Sequence, residues 1–211
     1  ADNTNFLPTF QSNESLHPAY SYTTDDYYGL LDNHEGPNAG GNLDIGIGRF
    51  PVQNTTQASQ VIEKIKRYLT TNEDLGTNSL CDGNNSIMPQ ADWRNRLCFI
   101  ADDEDGNLHL NDAESLAKYV DTAYMSYNLS KIYFDAYLQE STPGGQRYPE
   151  ANKEINDMVA RGALIINYTG HGGELGWSHE RVLGVDDIKS WENPYNMPLF
   201  LTATCEFSRF D

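Results

Sequence analysis

No run of apolar residues in this 211-residue chain approaches the roughly 18 that a membrane-spanning helix requires. The opening ADNTNFLPTF has neither a basic start nor an apolar block, so no cleavable signal peptide is expected within this chain. Cysteine is scarce. Cys81, Cys98 and Cys205 are an odd number with no CxxC spacing, which argues against both a disulfide framework and a zinc knuckle. Basic residues are few as well: 14 Lys and Arg stand against 31 Asp and Glu, a formal charge of −17. That balance disfavours nucleic acid or anionic lipid as a surface partner and suits basic groups or cations better. Internal repeats and low-complexity segments are also missing.

What is there reads as alternating strands and helices. Residues 1–75 suggest a small α/β subdomain. Within it LDIGIGRFPV at 43–52 has the pattern of a strand with closely packed glycines. Asn54, with Gln57 three positions on, marks a helix start, and Ala58, Val61, Ile62, Ile65, Tyr68 and Leu69 form its apolar face. The Gly-, Asn-, Asp- and Ser-rich stretch 76–92 reads as a linker or loop. From 93 to 211 four short apolar runs, RLCFIA (96–101), KIYFDAYL (131–138), ALIINY (163–168) and PLFLTAT (198–204), predict strands buried on both faces. Helical periodicity falls between them at about 112–127 and 150–161, with a short helix near Asp186–Trp191. Alternation of this kind predicts an α/β fold with a mostly parallel sheet flanked by helices.

In such sheets ligands bind beyond the carboxyl ends of the strands. The third run leads into Gly170-His171-Gly172-Gly173 and the fourth into Ala203-Thr204-Cys205-Glu206. If these strands are neighbours, an imidazole and a thiol share one crevice although they are 34 positions apart (205 − 171). A thiol of ordinary pKa is only a few per cent thiolate at neutral pH, and a nearby imidazolium raises that share and can protonate a leaving amine. The Gly172 and Cys205 amides could hold an oxyanion. Taken singly, a cysteine at a strand end is usually a small buried hydrophobe, and Gly-His-Gly is often only a turn. The conjunction is what points to acyl transfer. No metal site is expected there, since a zinc site on Cys205, His171 and a carboxylate lacks a close fourth ligand.

The segment from Ala163 to Asp211, with its strand–His-Gly and strand–Ala-Thr-Cys order, resembles the catalytic stretch of gingipain-type cysteine peptidases, a branch of the caspase-like clan. Thr204, standing between Ala203 and Cys205, departs slightly from that pattern. LPTFQS, YTTDDYYGLLD and LDIGIGRFPV resemble the smaller subdomain that precedes the catalytic one. Within the family, CFIADDEDGNLHLNDAE and TATCEFSRFD are most similar to the PorU-type sortases of the type IX secretion system.

The resemblance implies Cys205 as nucleophile, His171 as its partner and a thioester acyl-enzyme. It implies cleavage of the C-terminal sorting domain of secreted cargo and transfer of the acyl group to an amine on anionic lipopolysaccharide. Other outer-membrane secretion components would be partners, and the location would be the cell surface or outer membrane. The alternatives are a secreted hydrolytic endopeptidase and a non-catalytic interaction module with the same fold. A group orienting His171 is expected from the loop after the first strand, where Asp102, Asp103, Glu104, Asp105, His109 and Asp112 stand and His109 or Asp103 is favoured. No cofactor is required. The same DDEDGN run could hold calcium as a structural ion, although it lacks EF-hand spacing and also reads as a solvated turn. Gly173, Trp177, His179 and Glu206 are candidates for the substrate cleft, the last for a basic substrate group. The chain stops six residues after Cys205 (211 − 205), before elements that the resemblance leads one to expect, so this sequence reads as a truncated catalytic subdomain that could be inactive alone.

Overall fold

A computed structural model describes residues 7–13, 21–36, 39–69, 92–205 and 207. Cys81, Glu206 and all but the last residue of the expected 76–92 linker lie outside the described residues. The chain forms two compact units, one built from residues up to Lys64 and the other from Ile65–Phe207.

In the first unit β1 (Phe10–Gln11) pairs antiparallel with β2 (Thr23–Thr24). The stretch 43–52 is not a strand: it runs mostly exposed and joins no ladder. Its apolar and glycine alternation satisfies a strand pattern but finds no partner edge among the described residues. It is held instead by point contacts. The Asp44 N–H donates to the Gly29 carbonyl (2.9 Å), and the Arg49 guanidinium grips Asp25 through Nε–Oδ2 (2.5 Å) and Nη2–Oδ1 (2.7 Å). That fork holds the Asp25 carboxyl below its usual range. The helix α1 (Thr55–Leu69) begins where the sequence indicates, with the Gln57 N–H donating to Asn54 Oδ1 (2.9 Å). The Gln57 side chain reaches back to the Gln53 N–H (2.6 Å), one residue earlier than in a standard capping box. The apolar face forms on the helix yet is only partly covered: Ala58, Val61 and Tyr68 are half-buried, while Ile62, Ile65 (41% exposed) and Leu69 (67%) are open.

The second unit is a four-stranded parallel sheet: β3 (Arg96–Ala101), β4 (Asn128–Tyr133), β7 (Ile165–Thr169) and β11 (Leu199–Ala203), in the spatial order β11-β7-β3-β4. Side-chain alternation along β3 divides the core. Leu97 and Phe99 meet Ala117 and Val120 of α2 (Leu108–Ala123) on one face, while Cys98 and Ile100 meet Ile155, Met158 and Val159 of α3 (Pro149–Arg161) on the other. Helices on both faces explain why β3 reads as a continuous apolar run. β11 differs from expectation. Leu199, Leu201 and Ala203 are exposed and only Phe200 and Thr202 turn toward the protein, so this strand is covered on one face.

Two boundaries move for identifiable reasons. α2 starts and ends four residues before its expected span, because Gly106 (φ 61°) and Asn107 (φ 70°) turn the chain directly into Leu108. β4 starts at Asn128 and ends at Tyr133. The apolar residues that follow belong to a 3-10 turn, Phe134–Ala136, which buries Phe134 completely without extending the sheet. Small antiparallel pieces complete the unit: the hairpin β5 (Glu140–Thr142)–β6 (Gly145–Arg147), and the three-stranded β8 (Gly172–Gly173), β9 (Gly176–Trp177) and β10 (Leu183–Gly184). The last of these leads into α4 (Val185–Ser190).

Because Ile100 is fully buried on the central strand, Ile100→Ala should cost about 2–5 kcal/mol in urea unfolding. Ile62→Ala, on the open face of α1, should cost well under that, about 0.5 kcal/mol.

Candidate active site

The strand order places β3 beside β7, and it is here that the connectivity reverses, since β4 lies on one side of β3 and β11 on the far side of β7. Such a switch point leaves the loops after the two strands facing each other. The loop after β3 carries Asp102–Asn107 and the turn after β7 carries Gly170–Gly173.

β7 and β11 are paired in parallel with Thr169 opposite Ala203, and the Gly170 N–H continues the ladder to the Ala203 carbonyl (3.2 Å). His171 and Cys205 each stand two residues past that last pair (171 − 169 and 205 − 203), so they leave the sheet side by side. Gly172 packs against the Thr204 side chain and the Cys205 carbonyl, and any β-carbon there would collide with Thr204 Oγ1. Cys205 is a free, exposed thiol, unlike Cys98, which sits in the core.

The His171 backbone is fixed from below. Its N–H donates to Oδ2 of the fully buried Asp102 (2.9 Å), its carbonyl accepts from the Tyr168 hydroxyl (2.6 Å) and from the Ser178 N–H (2.8 Å), and Asp102 Oδ1 accepts from the Asp103 N–H (3.0 Å). Gly170 lets the chain pass: a β-carbon there would run into Asp102 and Tyr168. Burial raises the Asp102 carboxyl above its usual range, opposed by the two backbone donors.

The imidazole itself meets Asp105. His171 Nε2 lies 3.0 Å from Asp105 Oδ2 and 3.7 Å from Glu104 Oε2. His109 stands edge-on to the His171 ring, with centroids 5.0 Å apart. Its Nε2 is 3.3 Å from the same Asp105 oxygen but off the hydrogen-bond line. The His179 ring stacks on that of His171 at 5.4 Å, and its Nδ1 is 3.0 Å from Glu104, a contact that raises its pKa. Asp103 turns away from the imidazole to accept from the Tyr148 hydroxyl (2.7 Å). Asp112 is exposed on α2. Of the acidic loop, then, Asp105 and Glu104 reach His171, rather than the favoured Asp103. The signal for this was the D-G-N sequence: Asp105, Gly106 and Asn107 all take positive φ, which folds the loop back over the strand ends.

Gly173 is open to approach. Trp177, expected along the substrate cleft, is a correction: it is fully buried and stacked on Tyr168 (4.3 Å, 6°), because β9 turns its indole inward under the loop. His179, not Trp177, is the exposed aromatic of that loop.

The model of peptidase family C25 matches residues 1–211. The chain belongs to that family. Among solved structures, it is similar to the Arg-specific cysteine proteinase gingipain R (RgpB), with a TM-score of 0.57 and 22% identity over 85% of this chain and 35% of that one. It is also similar to the complex of Porphyromonas gingivalis RgpB pro- and mature domains, with a TM-score of 0.58 and 23% identity over 87% of this chain and 37% of the other. The chain thus spans about a third of the length of these neighbours, which share its mixed α/β, caspase-like fold. No curated protein matches it. Among the described residues no helix of this C25 chain is long and apolar enough to cross a membrane.

The two described thiols should behave in opposite ways. Burial pushes Cys98 up to about 12, so iodoacetamide at pH 8 should modify Cys205 and spare Cys98 until the protein unfolds, as read by peptide mass mapping. Because the folded state keeps the Cys98 proton between about 9 and about 12 while the unfolded chain loses it, this group makes stability fall as pH rises through that window.

Proposed function

We propose that this chain carries the catalytic pair of a cysteine peptidase, with Cys205 as nucleophile and His171 as acid–base. The observation that carries the reading is the register: an imidazole and an exposed thiol, each two residues beyond the last pair of adjacent parallel strands, in a chain of peptidase family C25. The Cys205 thiolate attacks the scissile carbonyl, and His171 gives its proton to the departing amine. The Gly172 and Cys205 N–H groups are the proposed donors to the tetrahedral oxyanion. Asp105 acts as a positioning residue. Paired with Nε2 at 3.0 Å, it orients the ring and leaves the other ring nitrogen for the thiol.

In the finer reading the acyl-enzyme is resolved by an amine: the substrate is the C-terminal region of type IX secretion cargo, and the acceptor is an amine on anionic lipopolysaccharide. Its partners are other secretion components at the outer membrane, and its location is the cell surface. The support is the likeness of CFIADDEDGNLHLNDAE and TATCEFSRFD to PorU-type sortases. Hydrolysis is the second reading, favoured by the neighbour described as an Arg-specific cysteine proteinase. Exposure of Cys205 argues against a non-catalytic module, in which nothing would keep the thiol at the surface.

Incubating the full-length protein with a cargo-derived peptide and a soluble primary amine, followed by mass analysis of the products, separates the readings. An N-terminal fragment heavier than its free acid by the amine less water supports transpeptidation, whereas the free acid alone, at saturating amine, contradicts it. Cys205→Ala should lower either product on the order of 10³-fold or more.

A further inference from the structure

Two histidines converge on one carboxylate at the His171 turn. His171 Nε2 lies 3.0 Å and His109 Nε2 3.3 Å from the same oxygen, Asp105 Oδ2, and one ligand atom from each of the three residues lies within 4.8 Å of the other two. His109 stands 62 positions before His171 in the sequence (171 − 109) and reaches it because α2 begins directly after the turn at Asp105–Asn107. The shared oxygen serves only one of the two rings well. His171 is hydrogen-bonded to it, whereas His109 Nε2 is buried without a hydrogen-bond partner, on a side chain only 15% exposed. A ring nitrogen removed from water and left unbonded costs free energy that a shared ligand would recover. His171 and Asp105, with side chains 35% and 52% exposed, remain open to an ion from solvent.

We propose that Asp105, His109 and His171 bind a zinc ion that holds the catalytic imidazole inactive. Zinc bonds imidazole nitrogen and carboxylate oxygen at about 2.0–2.2 Å, so its tetrahedral ligands stand about 3.3–3.6 Å apart. Separations of 3.0 and 3.3 Å come within a few tenths of an ångström of that spacing. Two imidazoles and a carboxylate suit zinc better than calcium or magnesium, which take oxygen ligands, and zinc accepts three protein ligands with a fourth position open to water. The acidic surroundings, with Glu104 Oε2 at 3.7 Å from His171 Nε2, draw a cation toward the site. Coordination releases to solvent any proton on the two Nε2 atoms. With zinc on Nε2, His171 keeps a single proton, on Nδ1, and no longer cycles between imidazole and imidazolium. It then neither takes the thiol proton nor gives one to a departing amine. Inhibition rests on the roles proposed for Cys205 and His171, whereas binding needs only the three side chains.

Zinc chloride titrated into the full-length protein, with bound metal measured after equilibrium dialysis, tests the site. Acyloxymethyl ketone labelling of Cys205 in the same samples tests its effect. One zinc per chain is expected in the wild type and in Cys205→Ala, with affinity lower by about tenfold or more in His109→Gln. Asp105→Asn, expected to weaken binding likewise, serves as the second variant should His109→Gln fail to fold. Labelling of the wild type should slow by about tenfold or more as the site fills and recover when the metal is chelated. No zinc on the wild type, or equal affinity in both ligand variants, overturns the proposal. Binding that disappears in Cys205→Ala also overturns it, because the thiol would then hold the ion. Bound zinc that leaves the labelling rate unchanged contradicts the inhibition. Zinc bound at these ligands in a protein that never labels at Cys205, with or without metal, supports the site and contradicts the peptidase reading together with the inhibition.

Discussion

The hydrogen bond from the His171 N–H to the buried Asp102 carboxylate is the constraint on which the rest of the site depends. The two residues are 69 positions apart in sequence (171 − 102), and the bond exists only because β3 and β7 are adjacent, parallel and paired with Ala101 opposite Thr169. With that register set, β11 takes its place against β7, and Cys205 emerges beside His171. A slip of one residue in either pairing would turn the imidazole or the thiol to the opposite face of the sheet. Burial of a carboxylate is costly, and Asp102 offsets the cost by accepting two backbone N–H groups that would otherwise point into the protein without acceptors.

Negative charge is then arranged in two tiers around the turn. Below, buried acids hold the backbone. Above, Asp105 and Glu104 meet the rings of His171 and His179 near the surface, where solvent moderates the attraction. Two further imidazoles, His109 edge-on and His179 stacked, pack against the His171 ring and restrict its plane. The glycines contribute by what they omit: side chains at Gly170 or Gly172 would separate the turn from Asp102 or from the Thr204 side chain and the Cys205 carbonyl.

Much of this was legible in the sequence where one residue pattern had one physical meaning. RLCFIA could be little but a buried strand, and it is one, over those same residues. The His171 and Cys205 turns were visible because two consecutive apolar runs each ended in a chemically marked residue. Less was legible where one pattern has two meanings. LDIGIGRFPV alternates like a strand, but a strand needs a neighbour, and local sequence does not encode one. Phe134 prolongs the apolar run of β4 because it packs into the core, which it does from a turn. Trp177 near the His171 turn suggested a cleft, whereas its 0% exposure follows from the pairing of β9 with β8 and β10, a long-range fact. The choice of Asp105 over Asp103 rested on left-handed backbone angles that the D-G-N sequence permits without requiring.

The central claim is that His171 activates Cys205 at the ends of two adjacent strands. The most direct measurement is labelling of the full-length protein and its His171→Ala variant with a peptidyl acyloxymethyl ketone, with the modified residue located by mass spectrometry. The account predicts covalent modification at Cys205 that slows at least a hundredfold without the imidazole. Equal rates in the two proteins, or modification at Cys98 in place of Cys205, would contradict it.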